Sequence, residues 1–134
     1  MDKIFHIDAY TPTGKYLSID ADYLKVTSSL SVLGILPNHA PLITTLEICK
    51  MVIKSNGEDK VYAISGGVMH IKKDHSVTLL LNSIESAEEI DLDRAMEAKR
   101  RAEERLSASK EEVDVTRAKA ALNRALNRIS VKQD

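Results

Sequence analysis

The chain has 134 residues with 19 Lys and Arg against 20 Asp and Glu, so it is one domain with room for an appendage, and its net charge of −1 supplies no field for nucleic acid. A single cysteine, Cys49, excludes an internal disulfide framework, fits a reducing compartment and is expected to be a small buried hydrophobe. No apolar run is long enough to span a bilayer and "MDKIFHIDAYTP" lacks a signal peptide's apolar core, so a soluble, cytosol-facing chain without direct membrane insertion is expected.

From the amino terminus the apolar residues recur with period two or in short runs bounded by turn residues. "KIFHIDAY" and "YLKVTSSL" read as strands, and "EICKMVIKS" ends at Asn56-Gly57, a strong hairpin signal. "KVYAIS", "GVMHIKK" and "SVTLLLN" follow, separated by Gly66-Gly67 and by an Asp74-His75 turn. Many short strands with almost no helical periodicity predict an antiparallel sandwich or barrel.

Near Ser86 the period changes to helical. Ser86 and Glu89 have capping-box spacing and Asp91 is a second candidate cap, which leaves the helix start open by one turn. The stripe Ala95, Ala98, Ala102, Leu106 predicts one helix, and Ala118, Leu122, Ala125, Ile129 a second, capped by Ser109 or Asp114. Such alanine-lined faces permit close approach but offer little apolar area, so the hairpin is expected to dock on the β-domain weakly. The predicted class is α+β: a β-domain over residues 1–85 and a two-helix hairpin over 86–134.

Charge divides the same way. Residues 1–90 hold 8 Lys and 11 acids, net −3, whereas residues 91–134 hold 11 Lys and Arg and 9 acids, net +2, with all 7 arginines among them. Arg94, Arg101 and Arg105 are spaced seven and four apart, as are Arg117, Arg124 and Arg128, so each trio follows one helical face. Two readings stand: solvated faces laced by pairs such as Glu97 with Arg101 or Lys119 with nearby acids, or a site for a phosphate group or an acidic protein surface.

Enzymatic motifs are absent. "TPTGKY" echoes the end of a P-loop, but the earlier glycine is missing and Tyr16 stands where Ser or Thr would hold magnesium, so a turn is expected. Gly66-Gly67 opens no helix and reads as a twist or bulge. His6, His39, His70 and His75 lack zinc-like spacing, and no metal site is predicted. "LGILPNHAPLIT", Leu33 to Thr44, is an apolar strand stopped by Pro37, a turn at Asn38-His39, and Pro41 before another apolar run: a stiffened exposed loop of the kind that carries partner contacts.

"GILPNHAPLIT", "AISGGVMHI" and "IDLDRAMEAKRRAEERL" with "RAKAALNRALNRISV" occur in the order and spacing of one family, and over nearly its whole length the chain resembles the epsilon subunit of the bacterial F-type ATP synthase. The resemblance implies an amino-terminal β-sandwich of about ten strands, a carboxy-terminal helical hairpin, and no catalysis by the chain itself. It implies a rotor component of the central stalk, on the cytoplasmic face of the plasma membrane, that binds the gamma subunit and the c-subunit ring and couples ion flow to ATP synthesis. The ring-facing loop would comprise Gly34, Pro37, Asn38, His39, Ala40 and Pro41; the family's preceding Gly-acid pair is Ser31-Val32 here, which replaces a polar contact by an apolar one.

The same resemblance makes the hairpin a latch that, extended, meets beta and alpha subunits and blocks ATP hydrolysis, with Arg105, Arg117 and Lys119 facing acidic beta segments. The family's nucleotide signature is matched by Ile90-Asp91-Leu92-Asp93-Arg94-Ala95. Carried over position by position it implies ATP as a regulatory ligand of the folded-down hairpin, held by Glu85, Asp91, Arg94, Arg101, Arg124 and Arg128, with Ile90 and Ala95 on the adenine side and magnesium unassigned. Asp91 and Arg94 can also simply cap and pair in the first helical turn. A free-standing adaptor whose basic hairpin binds an acidic protein or nucleic acid is the alternative, and the full-length resemblance argues against it.

Overall fold

The computed structural model describes residues 3–108 and 111–133. Eight strands precede two helices: β1 (Phe5–Thr11), β2 (Gly14–Ala21), β3 (Tyr23–Thr27), β4 (Val32–Ile35), β5 (Leu42–Ser55), β6 (Glu58–Ile71), β7 (Val77–Leu81), β8 (Ile84–Ser86), α1 (Leu92–Ala108) and α2 (Glu112–Gln133). The sheet order is β2-β1-β7-β6-β5-β3-β4, with β8 pairing β6 off that path.

β5 and β6, 14 residues each, build the sandwich from one sheet. Their hairpin closes at Asn56 (φ 53°) and Gly57 (φ 77°), between the paired Ser55 and Glu58, as the right-handed strand twist requires. The amino-terminal half of β6 pairs β8 through Tyr62–Ile64 and the rest pairs β7 through Gly67–Ile71, so one strand serves two layers. Gly66 and Gly67 stand at the change of partner. A Cβ on Gly67 would lie 2.2 Å from the Leu80 carbonyl oxygen, and its φ of 151° also favours glycine. The pair thus bends one strand instead of separating two. That bend, with β5 equally unbroken, gives eight strands among the described residues where about ten were expected.

The sandwich is not wholly antiparallel, since Ile7–Tyr10 of β1 pair Val77–Leu80 of β7 in parallel. Sequence proximity foretells hairpins; this pairing joins segments some 70 residues apart, and no local pattern encodes it. β1 and β2 do form a hairpin across Pro12-Thr13, from Thr11 to Gly14, which is the turn expected of "TPTGKY".

Alternate residues of the strands fill the core, with Ile7, Leu24, Met51, Ile53, Ile64, Met69 and Leu79 all fully buried. Cys49 is buried among them, and its burial pushes the thiol's pKa up. The alternation fails at Tyr62, Ala63 and Ile64, three consecutive buried residues. Tyr62 and Ile64 enter the core while Ala63 joins a separate cluster with Ile90 and Val131, because α2 covers the outer face there.

Candidate functional site

The helix start resolves into two units. Ser86 and Glu89 make the capping-box bonds reciprocally, Ser86 N to Glu89 Oε1 at 3.0 Å and Glu89 N to Ser86 Oγ at 3.3 Å, but these close a turn that precedes the helix. Asp91 caps α1: its Oδ1 accepts from Arg94 N at 3.2 Å and its carbonyl oxygen from Ala95 N at 3.0 Å. For α2 the first intrahelical bond runs from Val115 N to the Glu111 carbonyl at 3.0 Å, so Asp114 lies inside the first turn and is not the cap. Its carboxylate there suits the helix dipole, while Ser109 lies outside the described residues.

The helices meet through alanines. Ala95, Ala102, Ala118 and Ala125 are buried, with Leu106, Leu122 and Ile129 half-buried beside them. α2 and not α1 then docks on β5 and β6. Asn127 Nδ2 donates to the carbonyls of Cys49 (2.8 Å) and Ile64 (3.3 Å), Val131 is fully buried, and Lys132 Nζ donates to the Ala87 carbonyl at 3.0 Å. Neither Asn127 nor Val131 was singled out from sequence. Asn127 has only main-chain partners, which no side-chain pattern marks, while Val131 falls off the alanine stripe.

Between β8 and the two helices opens a cavity of 230 Å³ lined by Glu85, Glu89, Ile90, Asp91, Arg94, Ala95, Ala98, Arg101 and Arg128. Seven of the eight residues assigned to a nucleotide by resemblance line it, and Arg124 lines the adjoining groove with Glu85, Asn127 and Arg128. Three carboxylates face three guanidiniums, yet their partners differ. Arg128 Nε donates to Glu85 Oε1 at 2.6 Å, joining α2 to β8. Glu89 accepts from the Tyr16 hydroxyl and from Ser86 N, which hold its carboxyl below the usual range, and Asp91 is spent on its cap. Among the described residues the guanidiniums of Arg94 and Arg101 make no hydrogen bond or ion pair. Two forked donors are thereby left facing one cavity.

The rest of the arginine rows lie elsewhere. Arg105 and Arg117 line a second cavity, of 490 Å³, with Ala108, Asp114 and Ala118 near the hairpin's tip, and Lys119 is exposed without an ion pair among the described residues. Arg100, outside both rows, takes the surface pairs: its Nε donates to Glu97 Oε2 at 3.1 Å and another of its nitrogens meets Glu104. Glu97 therefore hydrogen-bonds Arg100, while Arg101 acts on it through charge alone, and these exposed pairs contribute little stability.

The loop of Pro37–Pro41 is far from this cavity, roughly 20 Å along β5 from the point where α2 docks. Its turn centres one residue earlier than the sequence suggested. His39 N donates to the Leu36 carbonyl at 3.3 Å, with Pro37 in the position that suits its fixed φ and Asn38 at φ 66°, a type II arrangement. His39 Nδ1 donates to the Ala40 carbonyl at 2.8 Å, and His75 Nδ1, from the β6–β7 turn, donates to the His39 carbonyl at 3.0 Å. Gly34 precedes the loop on β4, where a Cβ would lie 2.8 Å from the Tyr23 hydroxyl. Leu36 and Val32 expose large apolar side chains beside it.

The family models agree with this architecture along the chain: residues 4–87 match the ATP synthase delta/epsilon chain beta-sandwich domain and residues 88–133 its long alpha-helix domain. An ATP synthase epsilon chain of Pelotomaculum thermopropionicum is 45% identical over 79% of this chain and 78% of its own length. The epsilon chain of Bacillus licheniformis is 40% identical over 78% and 79%. Among solved structures, a chain of the Euglena gracilis mitochondrial ATP synthase (OSCP/F1/c-ring) superposes with a TM-score of 0.86 at 18% identity, covering 100% of this chain and 84% of that one, a likeness of fold. A chain from the central stalk and c-ring of the Tetrahymena thermophila enzyme gives 0.59 at 14% identity, over 98% and 95%. Sandwich, hairpin and sequence together make the chain a member of the ATP synthase delta/epsilon chain family, alongside the bacterial epsilon chains.

Proposed function

We propose that the chain is a non-catalytic rotor subunit of the central stalk, binding gamma and the c-ring through its sandwich, and that its hairpin is an inhibitory latch held down by ATP. On this reading it works at the cytoplasmic face of the membrane as a peripheral part of the synthase. The apolar Val32 and Leu36 flank the rigid Pro37–Pro41 loop offered to the ring, and Arg105, Arg117 and Lys119 are the cations the extended hairpin would bring to acidic beta segments.

The observation that carries the ATP reading is the cavity between β8, α1 and α2, with Arg94 and Arg101 lacking partners inside it. Guanidinium forks fit phosphate oxygens, and Arg128 is within the same cavity once Glu85 releases it. Glu85 would then be free to accept from the base's amino group, with Ile90 and Ala95 beside its ring. The volume of 230 Å³ is smaller than the roughly 300–1,000 Å³ common for ligand pockets, so a nucleotide would overhang the rim.

The lining residues belong to both the sandwich and the hairpin. A ligand held by Glu85 on one side and Arg94, Arg101 and Arg128 on the other binds only while the hairpin is docked, and it stabilises that state by about 2.7 kcal/mol at a hundred times its Kd. Calorimetric titration of the isolated protein with ATP and ADP tests this: saturable one-to-one binding that prefers ATP is expected, and no heat at millimolar ATP refutes the nucleotide site. Removal of residues after Glu89 should leave gamma binding intact and abolish inhibition of ATP hydrolysis in the reassembled complex; undiminished inhibition refutes the latch.

A further inference from the structure

The cavity's floor is held by a residue outside its lining. Tyr16, on β2, donates its hydroxyl to Glu89 Oε1 across 73 residues of sequence. The same oxygen accepts from Ser86 N, and Glu89 N is bonded to both the carbonyl (3.1 Å) and hydroxyl oxygens of Ser86. Tyr16 is itself braced edge-on against Tyr62 of β6, with ring centroids 6.2 Å apart and planes at 85°. Burial first, then the bond to Glu89, pushes the Tyr16 pKa up to about 12, so it is a neutral donor throughout the physiological range.

After Glu89 the order of the chain changes hands. Ile90 and Asp91 form neither turn nor helix; Asp91 caps α1, and Ile90 is buried against Val131 of α2. The bonds that dock the hairpin come from α2, namely those of Asn127, Arg128 and Lys132. Breaking them all leaves the Ser86–Glu89 turn still tied to the sandwich through Tyr16. The backbone between that turn and the helix cap is where rotation costs fewest hydrogen bonds.

We infer that Tyr16 is a positioning residue for the cavity: by holding Glu89 it keeps the Ser86–Glu89 turn on the sandwich, fixes the hairpin's pivot at Ile90-Asp91, and presents both residues to the ligand. The part concerning the ligand rests on the ATP reading above; the pivot does not. Glu85 and Glu89 stay with the sandwich when the hairpin swings, while Arg94, Arg101 and Arg128 leave with the helices.

Hydrogen exchange of the full-length, ligand-free protein tests the pivot, and ATP titration of the same variants tests the positioning. Tyr16→Phe is expected to speed exchange of the Ser86 and Glu89 amides about tenfold or more, the loss of one hydrogen bond to a charged acceptor, while core amides such as that of Met51 are unchanged. Glu89→Ala, which removes the acceptor of both the Tyr16 and the Ser86 bonds, should speed exchange at least as much, and the double variant should be no worse than Glu89→Ala alone, since Tyr16→Phe then has nothing left to remove. ATP affinity should fall about fivefold in Tyr16→Phe. Unchanged exchange at Ser86 and Glu89, or additive losses in the double variant, overturns the pivot. Wild-type ATP affinity in Tyr16→Phe overturns the positioning. If the wild-type protein does not bind ATP, the nucleotide reading and the positioning fall together, and the exchange experiment still decides the pivot.

Discussion

Val131→Ala should release the hairpin without unfolding the sandwich. Val131 is fully buried, and its companions are Ala63 and Ile90, with Val61 and Ala87 at the edge, a cluster distinct from the main core. The change removes two methyl groups, about 0.8 kcal/mol each, or about 1.5 kcal/mol in all before any cavity contribution. Docked and undocked hairpins then shift in ratio by about tenfold. The assay is native-state hydrogen exchange: amides of the last two turns of α2 are expected to exchange about tenfold faster, while those of Met51 and Ile64, deep in the sandwich, keep their rates. Equal acceleration of both sets would mean that hairpin and sandwich open as one cooperative unit, and the idea of a separately releasable latch would be wrong. Unchanged α2 amides would mean that Asn127 and Arg128 carry the docking and Val131 only fills space.

Arg101→Ala should weaken ATP binding by about tenfold or more, as expected for a lost charge-assisted bond, and Arg124→Ala by less, because Arg124 lines the adjoining groove; calorimetry that ranks them the other way refutes the cavity assignment. Gamma binding should survive both changes, measured by pull-down. Gly67→Ala should cost more than about 3 kcal/mol, read as a fall in urea midpoint, since its Cβ would strike the Leu80 carbonyl at 2.2 Å. His6 Nδ1 bonds Asp20 at 2.8 Å and its Nε2 meets Asp8 and Ser18, so its pKa is raised from 6.5, chiefly by Asp20. Its contribution to stability is therefore full below pH 6.5 and lost as pH rises through the folded-state pKa. His6→Gln should flatten the stability profile over that interval, by a small amount because the pair is exposed; an unchanged slope shows the bond absent in solution.

Local chemistry was legible and long-range pairing was not. Asn56-Gly57 dictates its own hairpin because few other residues tolerate two successive positive φ angles. The sequence separates two strands at Gly66-Gly67 and assigns the pair a twist or bulge; the strand runs on through it, since the same missing Cβ atoms that permit a break also permit close approach to Leu80, and only the neighbouring strand decides between them. The Ser86 and Glu89 bonds were foreseeable from spacing, but whether a capping box starts a helix or closes a free turn depends on Asp91 two residues later. Tyr16 was seen only as the wrong residue for a phosphate loop. Its partner lies 73 residues away, and no periodicity reports that distance.

The arginine rows show where spacing stops and packing begins. A seven-and-four pattern assigns residues to a helical face, but Arg94 and Arg101 face the cavity while Arg105, on the same row, belongs to the tip. Four residues further on, α1 has risen about 6 Å, and Arg105 lines the cavity near the tip instead. What makes the inner arginines useful is that Glu85 pairs with Arg128 while Arg94 and Arg101 are left unpaired. On the proposed reading, that ion pair keeps α2 down when no ligand is present, and an anion replaces Glu85 as the partner of Arg128, leaving the Glu85 carboxylate to accept from the base's amino group. Docking on the sandwich by one valine, one asparagine, one lysine and one ion pair keeps the two hairpin positions within the few kcal/mol that a ligand can shift. A larger apolar face would hold the hairpin more firmly and deprive the ligand of its leverage.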